Sequence, residues 1–131
     1  SLLEPDAALW KQTTQWQSSG VRTFEVELST LDQEAAGLES VDLLWMDVQG
    51  AEGLVLDGGA ATLTRTRAVF LEVALIRSPY GGAALFPEIS GRLQKAGFTC
   101  TGLGIDAWNG TGNALFIRDF AQLVLKPVAA D

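Results

Sequence analysis

The chain has no histidine, which removes Ser-His and Cys-His nucleophilic catalysis together with the commonest zinc ligand. A single cysteine, Cys100, excludes an internal disulfide and a cysteine-rich zinc site. Cations are scarce: nine Lys and Arg against sixteen Asp and Glu leave a formal charge of −7, and the nine are scattered along the chain. Phosphate neutralisation needs clustered cations, so neither a nucleic acid nor an anionic membrane surface is expected as a partner. No apolar run approaches the roughly 20 residues of a membrane-spanning helix, and no basic segment leads into an apolar one as in a secretory signal. A soluble, cytoplasmic protein is therefore expected. Methionine occurs once, at Met46, and the chain opens on Ser1, which reads as a processed chain or a fragment.

What is present is ample core material. At 131 residues, 47% of them hydrophobic and 19% charged, the chain suits one globular domain with a largely aliphatic core. The expected organisation is an N-terminal arm over residues 1–20, an α/β core over 21–120 and an apolar, acid-ended tail over 121–131.

Along the chain, residues 5–18 carry Leu9, Trp10 and Trp16 among polar residues and read as a short helix or irregular arm, closed by Ser18-Ser19-Gly20. Residues 21–28 alternate, with Phe24, Val26 and Leu28 on one face, which predicts a half-buried strand. Ser29 and Thr30 offer a cap ahead of a short helix with acids in its first turn, and Gly37 cuts it short. Residues 41–48 are apolar enough for a buried, central strand. A helix broken at Gly58-Gly59 follows, then a second dense strand over 68–76 with Glu72 inside it. The spacing of Leu85, Phe86, Ile89 and Leu93 predicts a helix over 84–96, stopped by Lys95 and Gly97. A short strand over 98–103, a turn-rich loop over 104–113 and a closing strand over 114–120 suggest an antiparallel pair. Strands alternating with helices predict a mostly parallel α/β sheet with that antiparallel pair at its C-terminal end.

The chemistry gathers where the strand over 41–48 runs out, at Asp47-Val48-Gln49-Gly50-Ala51-Glu52. In α/β sheets ligands bind beyond the carboxyl ends of strands, so Asp47 and Glu52 are candidates for contacting substrate or metal, or for general-base work. The alternative is local: Asp47 accepting hydrogen bonds from loop amides, and Glu52 favouring the N-terminus of the next helix. Glu72, a carboxylate inside an apolar strand, must be paired or at the sheet's rim. Beside Asp47 it would form a pair whose repulsion raises one pKa and suits acid-base work. Gly102, Gly104, Gly110 and Gly112 do not follow a strand and open a helix, so they fail as a phosphate cradle. Tyr80 in a Pro- and Gly-flanked loop could touch a ligand or cap the sheet. Cys100 reads as an inert small hydrophobe.

The stretch over 41–52 resembles the central signature of the FkbM-type methyltransferases, an apolar strand followed by Asp, an acid or amide, Gly and Glu. The resemblance extends to Glu27-Leu28-Ser29-Thr30-Leu31-Asp32, residues 56–60, Phe70-Leu71-Glu72-Val73, and Phe86-Pro87-Glu88-Ile89 through Ala96-Gly97-Phe98. It implies a partial class I methyltransferase, Rossmann-like fold, S-adenosylmethionine as methyl donor, and transfer to the hydroxyl of a sugar or other small molecule. It also implies catalytic roles for Asp47, Glu52 and Glu72. The family's cofactor glycines, on the first strand-to-helix turn, have no counterpart here, so no cofactor-binding residue is assigned and this chain alone is not expected to hold the cofactor. No metal ligand set is assigned either. Trp45 stands where the family usually has Lys, which exchanges a mobile cation for a bulky neutral ring beside Asp47.

Without the family's first strands, one side of the signature strand is left open unless residues 21–28 fill it, and an open apolar edge invites another chain. A homo-oligomer through that edge or the tryptophan-bearing arm is expected. A non-enzymatic oligomerising or binding module that kept the fold is the competing reading.

Overall fold

The computed structural model describes residues 1–6, 8–9 and 22–119. The elements are α1 (Leu31–Glu34), β1 (Val41–Met46), α2 (Glu52–Asp57), α3 (Ala60–Thr64), β2 (Thr66–Ala74), α4 (Phe86–Lys95), β3 (Phe98–Asp106) and β4 (Thr111–Arg118). Among the described residues no helix is long and apolar enough to cross a membrane. Most of the arm over 1–20 and all of the tail over 121–131 lie outside the described residues.

The strands form one sheet in the order β1-β2-β4-β3. It is mixed, not mostly parallel: β1 and β2 are parallel, whereas β2–β4 and β4–β3 are antiparallel. The crossover through α4 carries β3 to the far side of the sheet, and the hairpin then folds β4 back into the gap beside β2. Alternation of strands and helices could not reveal that insertion, because a hairpin's second strand can lie on either side of its first.

A second expectation fails at residues 21–28. Residue 21 is outside the described set, and residues 22–30 have no regular secondary structure and are exposed. Period-two alternation reports only that Phe24, Val26 and Leu28 could share an apolar face; a strand also needs a neighbour, and β1 does not supply one. Among the described residues β1 is therefore an edge strand paired only with β2, not a central one.

One face of the sheet makes the core. Met46 of β1, Val69, Leu71 and Val73 of β2, and Ala114 and Phe116 of β4 pack against Leu56 of α2, Leu63 of α3, and Ile89 and Leu93 of α4. The opposite face carries Leu43 and Trp45 on β1, Ala68, Phe70, Glu72 and Ala74 on β2, and Leu115 and Ile117 on β4; none of these is fully buried. Trp45 and Phe70 meet edge to face there, centroids 5.6 Å apart.

Polar side chains hold the helix layer to the sheet. Arg118 donates to the carbonyls of Thr66 and Leu63 and lies 4.4 Å over the Phe98 ring. Arg92 donates to the Gly53 carbonyl (2.9 Å) and pairs with Asp57 (2.6 Å), joining α4 to α2. The hairpin turn is tighter than its glycine-rich sequence suggests. Asp106 accepts from the amides of Trp108 and Asn109 and from the Asn109 side chain, so the strands run well into the expected loop. Gly112 is required because a Cβ there would strike the Gly104 carbonyl.

α1 begins at Thr30, whose side chain and Gln33 form a reciprocal cap. Its Asp32 then caps another helix from a distance: its carboxylate accepts from the Ala61 amide (3.0 Å), the Thr62 amide (2.6 Å) and the Thr62 hydroxyl (2.7 Å). The hydrogen bonds from Thr62, then from Ala61, hold its pKa below the ordinary carboxylate value. A depressed carboxylate stabilises the fold above its unfolded pKa, and that contribution is lost as pH falls through the folded one. Asp32→Asn is accordingly expected to lower the melting temperature at pH 7 and to flatten its decline below about pH 4, read by circular dichroism across a pH series.

Candidate active site

β1 ends at Met46 and the chain then turns sharply: Gln49 has φ +54° and Gly50 φ +92°. A Cβ on Gly50 would lie 2.9 Å from the Cβ of Tyr80 and 3.2 Å from that of Ala83, so the turn passes directly against the loop that follows β2. α2 starts two residues on, with no side-chain cap from Ala51. Glu52 takes that part: only 6% exposed, it turns back so that Oε1 accepts from the amides of Val48 (3.1 Å) and Gly50 (3.4 Å). Of the two local roles open to these acids, receiving the loop amides falls to Glu52, not Asp47.

The parallel register, Met46 beside Leu71, brings Asp47 level with Glu72 on the next strand. Glu72 is flanked on its other side by Asn113 of β4. Burial, then the charges of Asp47 and Glu52, then a hydrogen bond with Asp47 raise the Glu72 pKa above the ordinary glutamate value. The structure therefore brings together all three acids singled out in the sequence, Asp47, Glu52 and Glu72.

Two residues that were not singled out as catalytic complete the arrangement. The Tyr80 hydroxyl donates to Gln49 Oε1 (2.7 Å), and Gln49 Nε2 donates to Asp47 Oδ1 (2.7 Å). That direction is forced: a carboxylate can only accept, so the amide NH₂ must face Asp47 and its oxygen must face the phenol. Tyr80 is buried, and burial followed by the charges of Glu72, Asp47 and Glu52 pushes its pKa up, which keeps the phenol neutral and donating. A chain of polar contacts thus runs Tyr80, Gln49, Asp47, Glu72. Gln49 sits inside the sequence signature at the position open to an acid or amide; the signal was there, but an uncharged side chain drew no weight.

Glu52, Glu72, Gln49, Tyr80, Ser78 and Thr111 line a small cleft of about 70 Å³, and Asp47 is held by Gln49 of that lining. The N-terminal residues brace one side. The Ser1 hydroxyl donates to the Gln49 carbonyl (2.8 Å), Gly81 N–H to the Glu4 carbonyl (2.9 Å) and Asp6 N–H to the Pro79 carbonyl (2.7 Å).

The raised Glu72 pKa has a measurable consequence. Between the unfolded and folded values the native state binds more protons, so stability is fully present below the unfolded pKa and declines as pH rises through the folded one. Glu72→Gln is expected to remove that decline and raise the melting temperature at pH 7. Because Glu72 is only half-buried, screening by solvent holds the gain below about 1 kcal/mol.

No group of His, Cys, Asp and Glu among the described residues is arranged to hold a metal ion. The cleft is also too small for a nucleoside cofactor, since sites for ligands of that size occupy about 300 to 1,000 Å³. This cleft by itself does not fit S-adenosylmethionine.

The sequence profile of the Methyltransferase FkbM domain family matches residues 2–100. Among curated proteins, the 2-O-methyltransferase NoeI of Sinorhizobium fredii (strain NBRC 101917 / NGR234) is 57% identical over 51 residues, an alignment covering 37% of this chain and 21% of that relative. The chain thus spans about a fifth of the relative's length. No solved structure matches. The profile match takes in the strand, the turn after it and the neighbouring strand that together assemble the three acids, and the chain belongs to the methyltransferase FkbM domain family.

Proposed function

We propose that this chain supplies the acceptor side of methyl transfer to the hydroxyl of a sugar or other small molecule. The donor used by the family, S-adenosylmethionine, is held by residues other than those lining the cleft, and the chain by itself does not turn over. The observation carrying this reading is the Asp47–Glu72 pair beside a polar cleft. An acceptor hydroxyl must lose its proton, and a carboxylate whose pKa has moved toward neutrality is a better base than an ordinary one. Glu72 is such a group, and taking a proton relieves its repulsion with Asp47 and Glu52. Asp47, fixed by Gln49 and through it by Tyr80, stands beside Glu72 as the charge that favours its taking a proton. Glu52, with Oε1 committed to two backbone amides, keeps the turn in shape. Ser78 and Thr111 in the cleft wall suit a ligand rich in hydroxyls.

Calorimetric titrations of the full chain test both halves. With S-adenosylmethionine no heat of binding is expected up to about millimolar concentration. With a panel of methyl glycosides, saturable binding is expected that Glu72→Gln and Asp47→Asn each weaken by about tenfold. Saturable cofactor binding, or glycoside binding indifferent to both substitutions, would overturn the proposal.

A further inference from the structure

The turn between β3 and β4 presents Trp108 to solvent more fully than any other large apolar residue described, at 95% exposed. Its backbone is held from both sides. The Asp106 carboxylate accepts from the amides of Trp108 (3.1 Å) and Asn109 (3.3 Å) and from the Asn109 side chain (2.7 Å), and the Asp106 carbonyl accepts from Gly110 N–H (3.0 Å). The Gly110 carbonyl in turn receives Leu75 N–H, just past the end of β2 (2.9 Å). A tryptophan on so fixed a turn gives up little conformational entropy when a ligand covers it.

The turn stands at the cleft. Thr111 pairs with Ala74 of β2 and with Asp106 of β3, and Thr111 and Ala74 both line the cleft together with Glu52 and Glu72. Trp108 is three residues from Thr111, so their Cα atoms lie within about 11 Å of each other. At about 70 Å³ the cleft falls well short of the roughly 300 Å³ that encloses a whole ligand. It admits a reacting hydroxyl and its near neighbours, and the rest of the acceptor must lie on the surface beside it.

We infer that Trp108 is a stacking platform for a sugar ring of the acceptor, either the ring that carries the reacting hydroxyl or the one linked to it. The inference rests on the acceptor-side reading of the cleft given above. A pyranose has two kinds of surface. Its C–H groups carry slight positive charge and suit the negative face of an indole, while its hydroxyls donate to carboxylates and hydroxyls such as those of Glu72, Ser78 and Thr111. Both complements stand at the same end of this sheet. No cation lines the cleft, so a phosphorylated or otherwise anionic ligand would meet the charges of Glu52 and Glu72 without compensation. A planar phenol could cover the indole, but one hydroxyl leaves the other polar groups of the cleft unmet. The acceptor class that satisfies all of these is an uncharged glycoside.

NMR titration of the full chain with methyl glycosides of mono- and disaccharides tests it, with phenol and a sugar phosphate as comparison ligands. The indole N–H signal of Trp108, identified by its loss in Trp108→Phe, should shift saturably with glycoside. Trp108→Ala should weaken glycoside binding by about tenfold, and Trp108→Phe, which keeps an aromatic face, by no more than about threefold. Glycoside binding that Glu72→Gln weakens and Trp108→Ala leaves unchanged would overturn the platform while the reading of the cleft stands. Should the alanine variant not fold, the wild-type signal decides, because glycoside binding that leaves the Trp108 indole unmoved also overturns the platform. Preference for phenol or the sugar phosphate would refute the assignment of a sugar. A wild-type chain that binds no glycoside would overturn this inference and the reading of the cleft together.

Discussion

Replacing Gly50 with alanine is expected to lower stability by about 3 kcal/mol and the melting temperature by on the order of 10 °C. Two costs add. The left-handed φ of +92° disfavours any residue with a Cβ, and the new methyl would sit 2.9 Å from the Tyr80 Cβ and 3.0 Å from its ring. Gly82 separates the two, since its φ is +75° but nothing lies within 4 Å of a Cβ there. Gly82→Ala should therefore cost only the backbone strain, about 1 kcal/mol. Thermal unfolding of both variants by circular dichroism measures the difference. Equal losses would mean that the turn after β1 does not pack against Tyr80, and the polar chain from Tyr80 to Glu72 would then lack its support.

Phe116→Ala should be the most damaging core substitution, costing about 3 to 5 kcal/mol. Phe116 is fully buried and sits in the middle of the sheet, with Val69 of β2 on one side and Cys100 of β3 on the other. Its ring also reaches Phe86 at the start of α4, centroids 6.5 Å apart. Truncation opens a void that three elements border, and a closely packed sheet cannot collapse to fill it. Against a total stability of about 5 to 15 kcal/mol, the loss should appear as a large fall in the urea midpoint at an unchanged slope.

The features legible in the sequence were those fixed by local chemistry. The Thr30 cap, the amphipathic spacing of α4, the density of β2 and the position of Glu72 within it all follow from residues a few places apart. Juxtaposition of Asp47 with Glu72 was also within reach, because consecutive strands joined by a crossover tend to pair in parallel. Pairing across long separations was not legible. Phe24, Val26 and Leu28 alternate as a strand would, yet no strand among the described residues receives them. Nothing in the residues around Ala114 and Phe116 shows that their strand lies beside β2 as well as β3. At the site, Gln49 and Tyr80 were hard to weigh because their contact spans 31 residues and neither carries charge. Their importance comes from orientation, which composition does not encode.

The last of the described strands lies near the middle of the sheet. Val69 on β2 meets Phe116 on β4, so when synthesis has produced β1 and β2 the floor beside Glu72 still has no Asn113 and the core no Phe116. The cleft cannot be built up gradually behind the ribosome; it closes in one late step, once residues past 118 have emerged. Until then the apolar flank of β2 is bare, and this interval, rather than any property of the finished fold, is when the chain is most prone to associate wrongly.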